Sequence, residues 1–217
     1  MPRHVGSCLD NFVNLRDETN AVGLIRHPRE DPMTITAAAD GSALGNPGPA
    51  GWAWVIDEQL WAAGGWKHAT NNQGELKAVL ELFRATAHVD DDLLILCDSQ
   101  YVINSITKWM PGWKKKGWRK SDGKPVMNLE LLQELDAAII GRRYRFEWVR
   151  GHVGHPLNEA ADLRARSAAE AYQRGGAIPS GPGYPGSLAG NFVSASDHAP
   201  GGTDLGRTVT GSLPELF

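Results

Sequence analysis

Cysteine is scarce in this chain of 217 residues, which contains only Cys8 and Cys97. Two cysteines cannot build a disulfide framework, and neither sits in a zinc-binding spacing. Cys97 ends the apolar run Leu93–Leu96 and reads as a buried thiol of a reducing compartment. Long apolar runs are missing as well. The longest patch near the N-terminus, Ala21–Ile25, is broken by Gly23. It is too short for a signal-peptide core or a bilayer span, so a cytoplasmic protein without membrane contact is expected. An excess of positive charge is also absent. A net charge of −3 excludes a uniformly basic nucleic-acid binder. No internal repeat occurs.

What is present suits one globular domain with appendages: 41% hydrophobic and 22% charged residues over this length support a full core. The modest net charge hides a local cluster. Between Lys108 and Lys124 lie seven Lys/Arg against the single acid Asp122. Residues 1–32 are polar, show no sustained periodicity and end in Pro-Arg-Glu-Asp-Pro, which predicts a disordered extension. Of the 43 residues from Gly175 onward, 10 are Gly and 5 are Pro, which predicts a disordered tail over 175–217. Its end, Leu213-Pro-Glu-Leu-Phe217, has the form of a short docking peptide or an inert terminus.

Between these ends the pattern predicts strands over 34–39, 51–56 and 59–66, joined by short connections that favour antiparallel neighbours. Leu76, Val79, Leu80, Phe83 and Ala87 recur at helical spacing within 70–87, with Thr70, Asn71 or Asn72 able to cap. The continuous apolar run 93–97 suits a strand buried on both faces, followed by a short helix around 99–108. A helix over 128–140 follows the basic segment. Next come an alternating strand over 143–149, a turn-rich loop over 150–156 and a last helix over 158–174. Three antiparallel strands and then two helix-connected strands imply a mixed five-stranded α/β sheet with helices packed on it.

Two of these strands run into aspartates, Asp40 and Asp98, and Glu75 lies near the start of the helix between them. Asp40-Gly41 read alone is an ordinary turn dipeptide, and each acid read alone is a solvated charge. Their placement is different: ends of adjacent central strands share one rim, where carboxylates converge and repel. Divalent cations relieve that repulsion, and a site of oxygen donors without Cys points to Mg²⁺ or Mn²⁺. Two such ions about 3.5–4 Å apart serve both the attacking and the leaving oxygen of a phosphodiester displacement.

Five blocks together are recognisable: Asp40-Gly-Ser-Ala-Leu-Gly-Asn-Pro-Gly-Pro49, Thr70-Asn-Asn-Gln-Gly-Glu75, Cys97-Asp-Ser-Gln-Tyr101, Trp113-Lys-Lys-Lys-Gly-Trp118 and Trp148-Val-Arg-Gly-His-Val-Gly-His-Pro156. Asn158, Glu159 and Asp162 follow the last of them. In order and spacing they resemble a bacterial type 1 ribonuclease H over about residues 34–174. The resemblance implies a catalytic domain spanning 33–174 that hydrolyses the RNA strand of RNA–DNA hybrids and leaves 3′-hydroxyl and 5′-phosphate ends. It implies two Mg²⁺ ions held by Asp40, Glu75, Asp98 and Asp162, with Mn²⁺ as a substitute. It assigns His152 to proton transfer or product departure, and His155 reads as structural before Pro156. By the same resemblance Asn46, Asn72, Gln100 and backbone groups of Gly41, Ser42 and Ala43 contact the hybrid groove. Trp113, Lys114, Lys115, Lys116 and Trp118 belong to the basic protrusion that grips the DNA strand. A monomer is expected.

Two positions depart from the family pattern: Ala39 stands where Thr is common, and Gly74 where a larger residue is usual. A glycine in the first turn of a helix costs up to about 1 kcal/mol relative to Ala. Two other functions are compatible with parts of this pattern, a catalytically silent hybrid-binding module and an integrase- or transposase-like nuclease core. Four intact acids argue against the first, and the basic protrusion without a large added domain argues against the second.

Overall fold

The computed structural model describes residues 33–151 and 154–187. The extension at 1–32, His152 and the final segment 188–217 with its docking-peptide end lie outside the described residues. Five strands, β1 (Thr34–Ala43), β2 (Gly48–Val55), β3 (Trp61–Ala69), β4 (Asp92–Cys97) and β5 (Tyr144–Trp148), form one sheet in the order β3-β2-β1-β4-β5. β1 pairs antiparallel with β2 and parallel with β4; β2–β3 is antiparallel and β4–β5 parallel. The expected mixed sheet is therefore the observed one.

The side-chain parity of β1 explains the layering. Ala37 and Ala39 join Trp52, Trp54, Leu76, Val79, Leu80 and Phe83 in the main core, whereas Ala38 joins Val55, Leu96 and Ala161 on the opposite face. Helix α1 (Asn71–Ala85) covers the first face with α4 (Leu129–Ala138) packed against α1, and α5 (Pro156–Arg174) covers the second. Helix α5 can lie close because it presents Ala161, Ala165 and Ala168. It meets Gly51, where any Cβ would strike the Ala165 carbonyl. Thr70 caps α1 in a reciprocal box: its Oγ accepts from Gln73 N at 3.3 Å, and Gln73 Oε1 accepts from Thr70 N at 2.8 Å. The helix stops at Ala85, so Ala87, expected on its inner face, is exposed.

The helix expected over 99–108 is longer and irregular. Helix α2 (Gln100–Asn104) passes through a π-helical turn, Ser105–Trp109, into α3 (Met110–Lys115). The basic segment thus begins as a helical continuation of the strand β4 exit. On β5, Tyr144 and Phe146 pack inward as expected, but Trp148 is 52% exposed.

The tail expected from 175 does not hold for its first part. Gly175 ends α5 in the left-handed region (φ 67) that favours glycine, and the chain then folds back along β3. Ala63 N donates to Ser180 O at 3.1 Å and Gly183 N to Trp61 O at 3.0 Å. Ile178 packs with Ala53, Ala63, Ala165 and Ala168. Tyr184 stands edge-on to His88 with ring centroids 5.7 Å apart, and His88 Nε2 donates to Pro185 O at 2.8 Å. A Gly/Pro-rich composition signals disorder only while its backbone lacks partners, and the open edge of β3 supplies them.

Candidate active site

The register of the parallel pair brings the two aspartates together. Pairing of β1 with β4 ends at Ala38↔Leu96, so Asp40 and Asp98 each stand two residues further along adjacent strands. Asp40 is not the end of β1, which continues to Ala43 through its pairing with β2; what ends there is the contact with β4. Helix α1 brings Glu75 to the same rim, and two glycines allow the approach. A Cβ at Gly41 would strike the backbone of Gly74 and Glu75, and one at Gly74 would lie 2.7 Å from Gly51 O. Gly74 therefore does more than loosen a helical turn. It lets α1 rest on β1 and β2, which sequence reasoning missed.

Asp40, Glu75 and Asp98 each offer a carboxylate oxygen, and these oxygens lie within 4.8 Å of one another. Asp40 is 5% exposed and Glu75 8%. Burial, then the charge of Asp98, push the Asp40 pKa from 3.8 up to about 8; Asp162 and Glu75 add to the rise, and the Gly41 N–H, 2.7 Å from Asp40 Oδ1, opposes it. Burial likewise raises Glu75 from 4.5 to about 7, and Asp98 adds to this. Hydrogen bonds from Ser99 and Asn71 pull it back. Asp162, half-buried on α5, is outside the triad of oxygens but close enough to act on Asp40.

The partners of these acids were not singled out from sequence. Ser99 Oγ donates to Glu75 Oε2 at 2.5 Å, and Asn71 Nδ2 donates to Glu75 Oε1 at 2.8 Å. Trp148 Nε1 donates to the Asp98 carbonyl at 3.0 Å, and a Cβ on Gly151 would run into the Asp98 carboxylate. Asn71 stands four residues before Glu75 on one helix, a spacing that could have revealed it. The other contacts are long-range and have no local signal. Cys97 is buried beneath the site, and desolvation holds its thiol far above the usual range, so it stays protonated.

The expected groove residues fall on segments that adjoin the acids in the chain or share their elements. Gly41 is buried, and Ser42 and Ala43 are half-buried on the same strand. Asn46 is exposed in the β1–β2 turn and accepts from Asn71 N at 3.2 Å, so it also ties that turn to α1. Thr70, not Asn72, caps α1, and Asn72 is half-buried in the first turn. Gln100 is exposed as the first residue of α2. Farther out, Lys115 and Lys116 are exposed, Trp113 and Trp118 are half-buried, and the Lys114 ammonium pairs with Asp136 at 2.7 Å. Trp109, not singled out from sequence, is 42% exposed and lies 5.7 Å from Trp113 between ring centroids. His155 directly precedes α5, and its buried Nδ1 has no hydrogen-bond partner among the described residues.

Three carboxylates this close, two of them pushed toward neutrality, are an unfavourable arrangement that a divalent cation relieves, and all-oxygen donors match a hard ion. A family model described as RNase H matches residues 32–170. The chain is 57% identical over 150 residues to the Ribonuclease H of Tropheryma whipplei (strain Twist), covering 69% of this chain and 93% of that protein. It is 47% identical over 138 residues to the Ribonuclease H of Bradyrhizobium diazoefficiens, covering 61% and 87%. Among solved structures, LC9-RNase H1, described as a type 1 RNase H with the type 2 active-site motif, superposes with a TM-score of 0.57 at 30% identity. That match covers 70% of this chain and 80% of the other.

Proposed function

The chain belongs to the RNase H family, and from that premise we propose that it hydrolyses the RNA strand of RNA–DNA hybrids endonucleolytically at the acidic rim. The observation that carries this reading is the convergence of Asp40, Glu75 and Asp98 from three separate elements onto one point. Asp40, Glu75, Asp98 and Asp162 would hold two Mg²⁺ ions. Bound there, the ions supply positive charge for the attacking and leaving oxygens of the phosphodiester.

The chain's own groups do the rest. Burial keeps the rim poor in water, which strengthens every charge interaction within it. Asn46, Asn72 and Gln100, each offering a donor and an acceptor, read the 2′-hydroxyls that distinguish RNA from DNA across a shallow groove. Lys115 and Lys116 neutralise phosphates of the DNA strand, and Trp113 and Trp118 offer flat surfaces to it. His152 moves a proton near neutrality, for which an imidazole is suited. We assign the chain to the cytoplasm as a monomer; no helix among the described residues is long and apolar enough to cross a membrane.

The test is cleavage of an end-labelled hybrid with Mg²⁺, set beside double-stranded RNA and double-stranded DNA. Cutting confined to the RNA of the hybrid, lost in EDTA and leaving 3′-hydroxyl and 5′-phosphate ends, is expected. An intact hybrid overturns the reading.

A further inference from the structure

Glu75 is the acid of the triad that a helix carries, whereas Asp40 lies on β1 and Asp98 directly follows β4. It is the fifth residue of α1, just past the first turn, and its side chain must reach across to Asp40 and Asp98. A glutamate has one more rotatable bond than an aspartate, so its carboxylate is the least constrained of the three unless something fixes it. The structure fixes it through Ser99. That hydroxyl donates to Glu75 Oε2 at 2.5 Å while accepting from Val102 N at 3.4 Å as the cap of α2. A single hydroxyl can do both because it carries one donor and two acceptor sites. Asn71 holds the other oxygen, Oε1, at 2.8 Å.

We propose that Ser99 is a positioning residue that orients the Glu75 carboxylate for the divalent cation and ties that carboxylate to the helix entering the basic protrusion. Resting on the reading of Glu75 as a metal ligand, the inference adds a residue to the metal site that touches neither the cation nor the hybrid in its positioning role. Its basis is geometric. Ser99 follows Asp98 directly, so one short segment at the exit of β4 supplies a ligand, the group that orients a second ligand, and the first cap of the helix bearing Gln100. Each Glu75 oxygen accepts one protein hydrogen bond and keeps a further lone pair for an ion. Removal of such an outer partner typically costs 10–100-fold in metal affinity or activity.

The experiment is a titration of the full chain with Mg²⁺ alone, without nucleic acid, followed by calorimetry and by the rise in melting temperature. Ser99→Ala is expected to raise the half-saturating Mg²⁺ concentration about tenfold. Ser99→Thr, which restores a hydroxyl that can both donate and cap, is expected to stay within about twofold of wild type. Ser99→Gly separates the two roles of the hydroxyl, because glycine replaces a capping side chain at a cost of only a few tenths of a kcal/mol. It is expected to match the alanine variant in metal affinity while melting close to wild type. Glu75→Gln is the control. If it leaves Mg²⁺ affinity unchanged, the assignment of Glu75 to the metal site fails. If it weakens binding while Ser99→Ala and Ser99→Gly do not, that assignment stands and the role of Ser99 is overturned. Equal losses in the Ala and Thr variants overturn it too, since the hydroxyl is then not the cause.

Discussion

Replacing Asp40 with Asn is expected to stabilise the metal-free protein while abolishing its activity. In the folded chain burial, then Asp98, with Asp162 and Glu75 adding, lift the Asp40 pKa from 3.8 to about 8. At pH 7 the folded state must therefore hold a proton that the unfolded chain has released. Keeping that proton about 3 pH units above 3.8, at 1.36 kcal/mol per unit, costs about 4 kcal/mol. Asparagine fills the same space, needs no proton and can still accept from Gly41 N, now 2.7 Å from Asp40 Oδ1. Desolvation of the new amide offsets part of the gain and leaves about 2–4 kcal/mol, or roughly 5–15 °C in melting temperature for a chain of this size.

The sign with pH follows from the same linkage. A folded pKa above the unfolded one means that the native state binds more protons, so wild-type stability is fullest below 3.8 and falls as pH rises toward about 8. Glu75 acts in the same direction between 4.5 and about 7. Melting curves in EDTA between pH 5.5 and 8 should show wild type losing stability more steeply than Asp40→Asn, with the gap narrowing when Mg²⁺ is added. A variant that melts at or below wild type at pH 7 in EDTA would refute the claim that these acids are held together at a cost.

Four further outcomes are expected. Gly74→Ala should destabilise by about 1–3 kcal/mol in a denaturant titration, because its Cβ would lie 2.7 Å from Gly51 O, although Ala favours an unstrained helix by up to about 1 kcal/mol; a stabilised variant contradicts the close approach. Replacing Lys115 and Lys116 with Ala should weaken hybrid binding and reduce the salt slope by up to about 2, whereas Lys114→Ala, whose ammonium already pairs with Asp136, should change the slope less. An equal effect of Lys114→Ala would show that this pair opens on binding. Ending the chain at Gly176 should lower the melting temperature and promote self-association seen by light scattering, because it uncovers Trp61 and Ala63 on the edge of β3; unchanged melting and scattering would deny residues 178–187 a part in the domain. His152→Ala should lower kcat about 100-fold with KM little changed, and unimpaired turnover would remove it from proton transfer.

Much of this molecule was legible in its sequence because the relevant signals are local. Alternation in Trp52, Trp54 and Ile56, helical spacing in Leu76–Phe83 and the continuous run Leu93–Cys97 give each element its type, and the order of elements limits the sheet to few topologies. The convergence of Asp40, Glu75 and Asp98 could be argued in advance, since parallel neighbours place equivalent residues side by side. Glycine and proline content misled at 175–187, because composition measures what a segment offers and not whether an unpaired strand edge is there to receive it.

Only the tertiary structure decided the contacts between residues far apart in the chain. Ser99 on Glu75, Trp148 on the Asp98 carbonyl and the ion pair of Lys114 with Asp136 span 24, 50 and 22 residues of sequence. No periodicity encodes such distances. By itself the sequence determined the identity of the carboxylates, the elements that carry them and the basic segment beside them. Their burial, and with it the raised pKa of Asp40 and Glu75, belongs to the folded chain alone. A carboxylate leaves its ordinary range only where the fold excludes water and sets other charges beside it, and Gly41, Gly51 and Gly74 let the backbones come close enough for that.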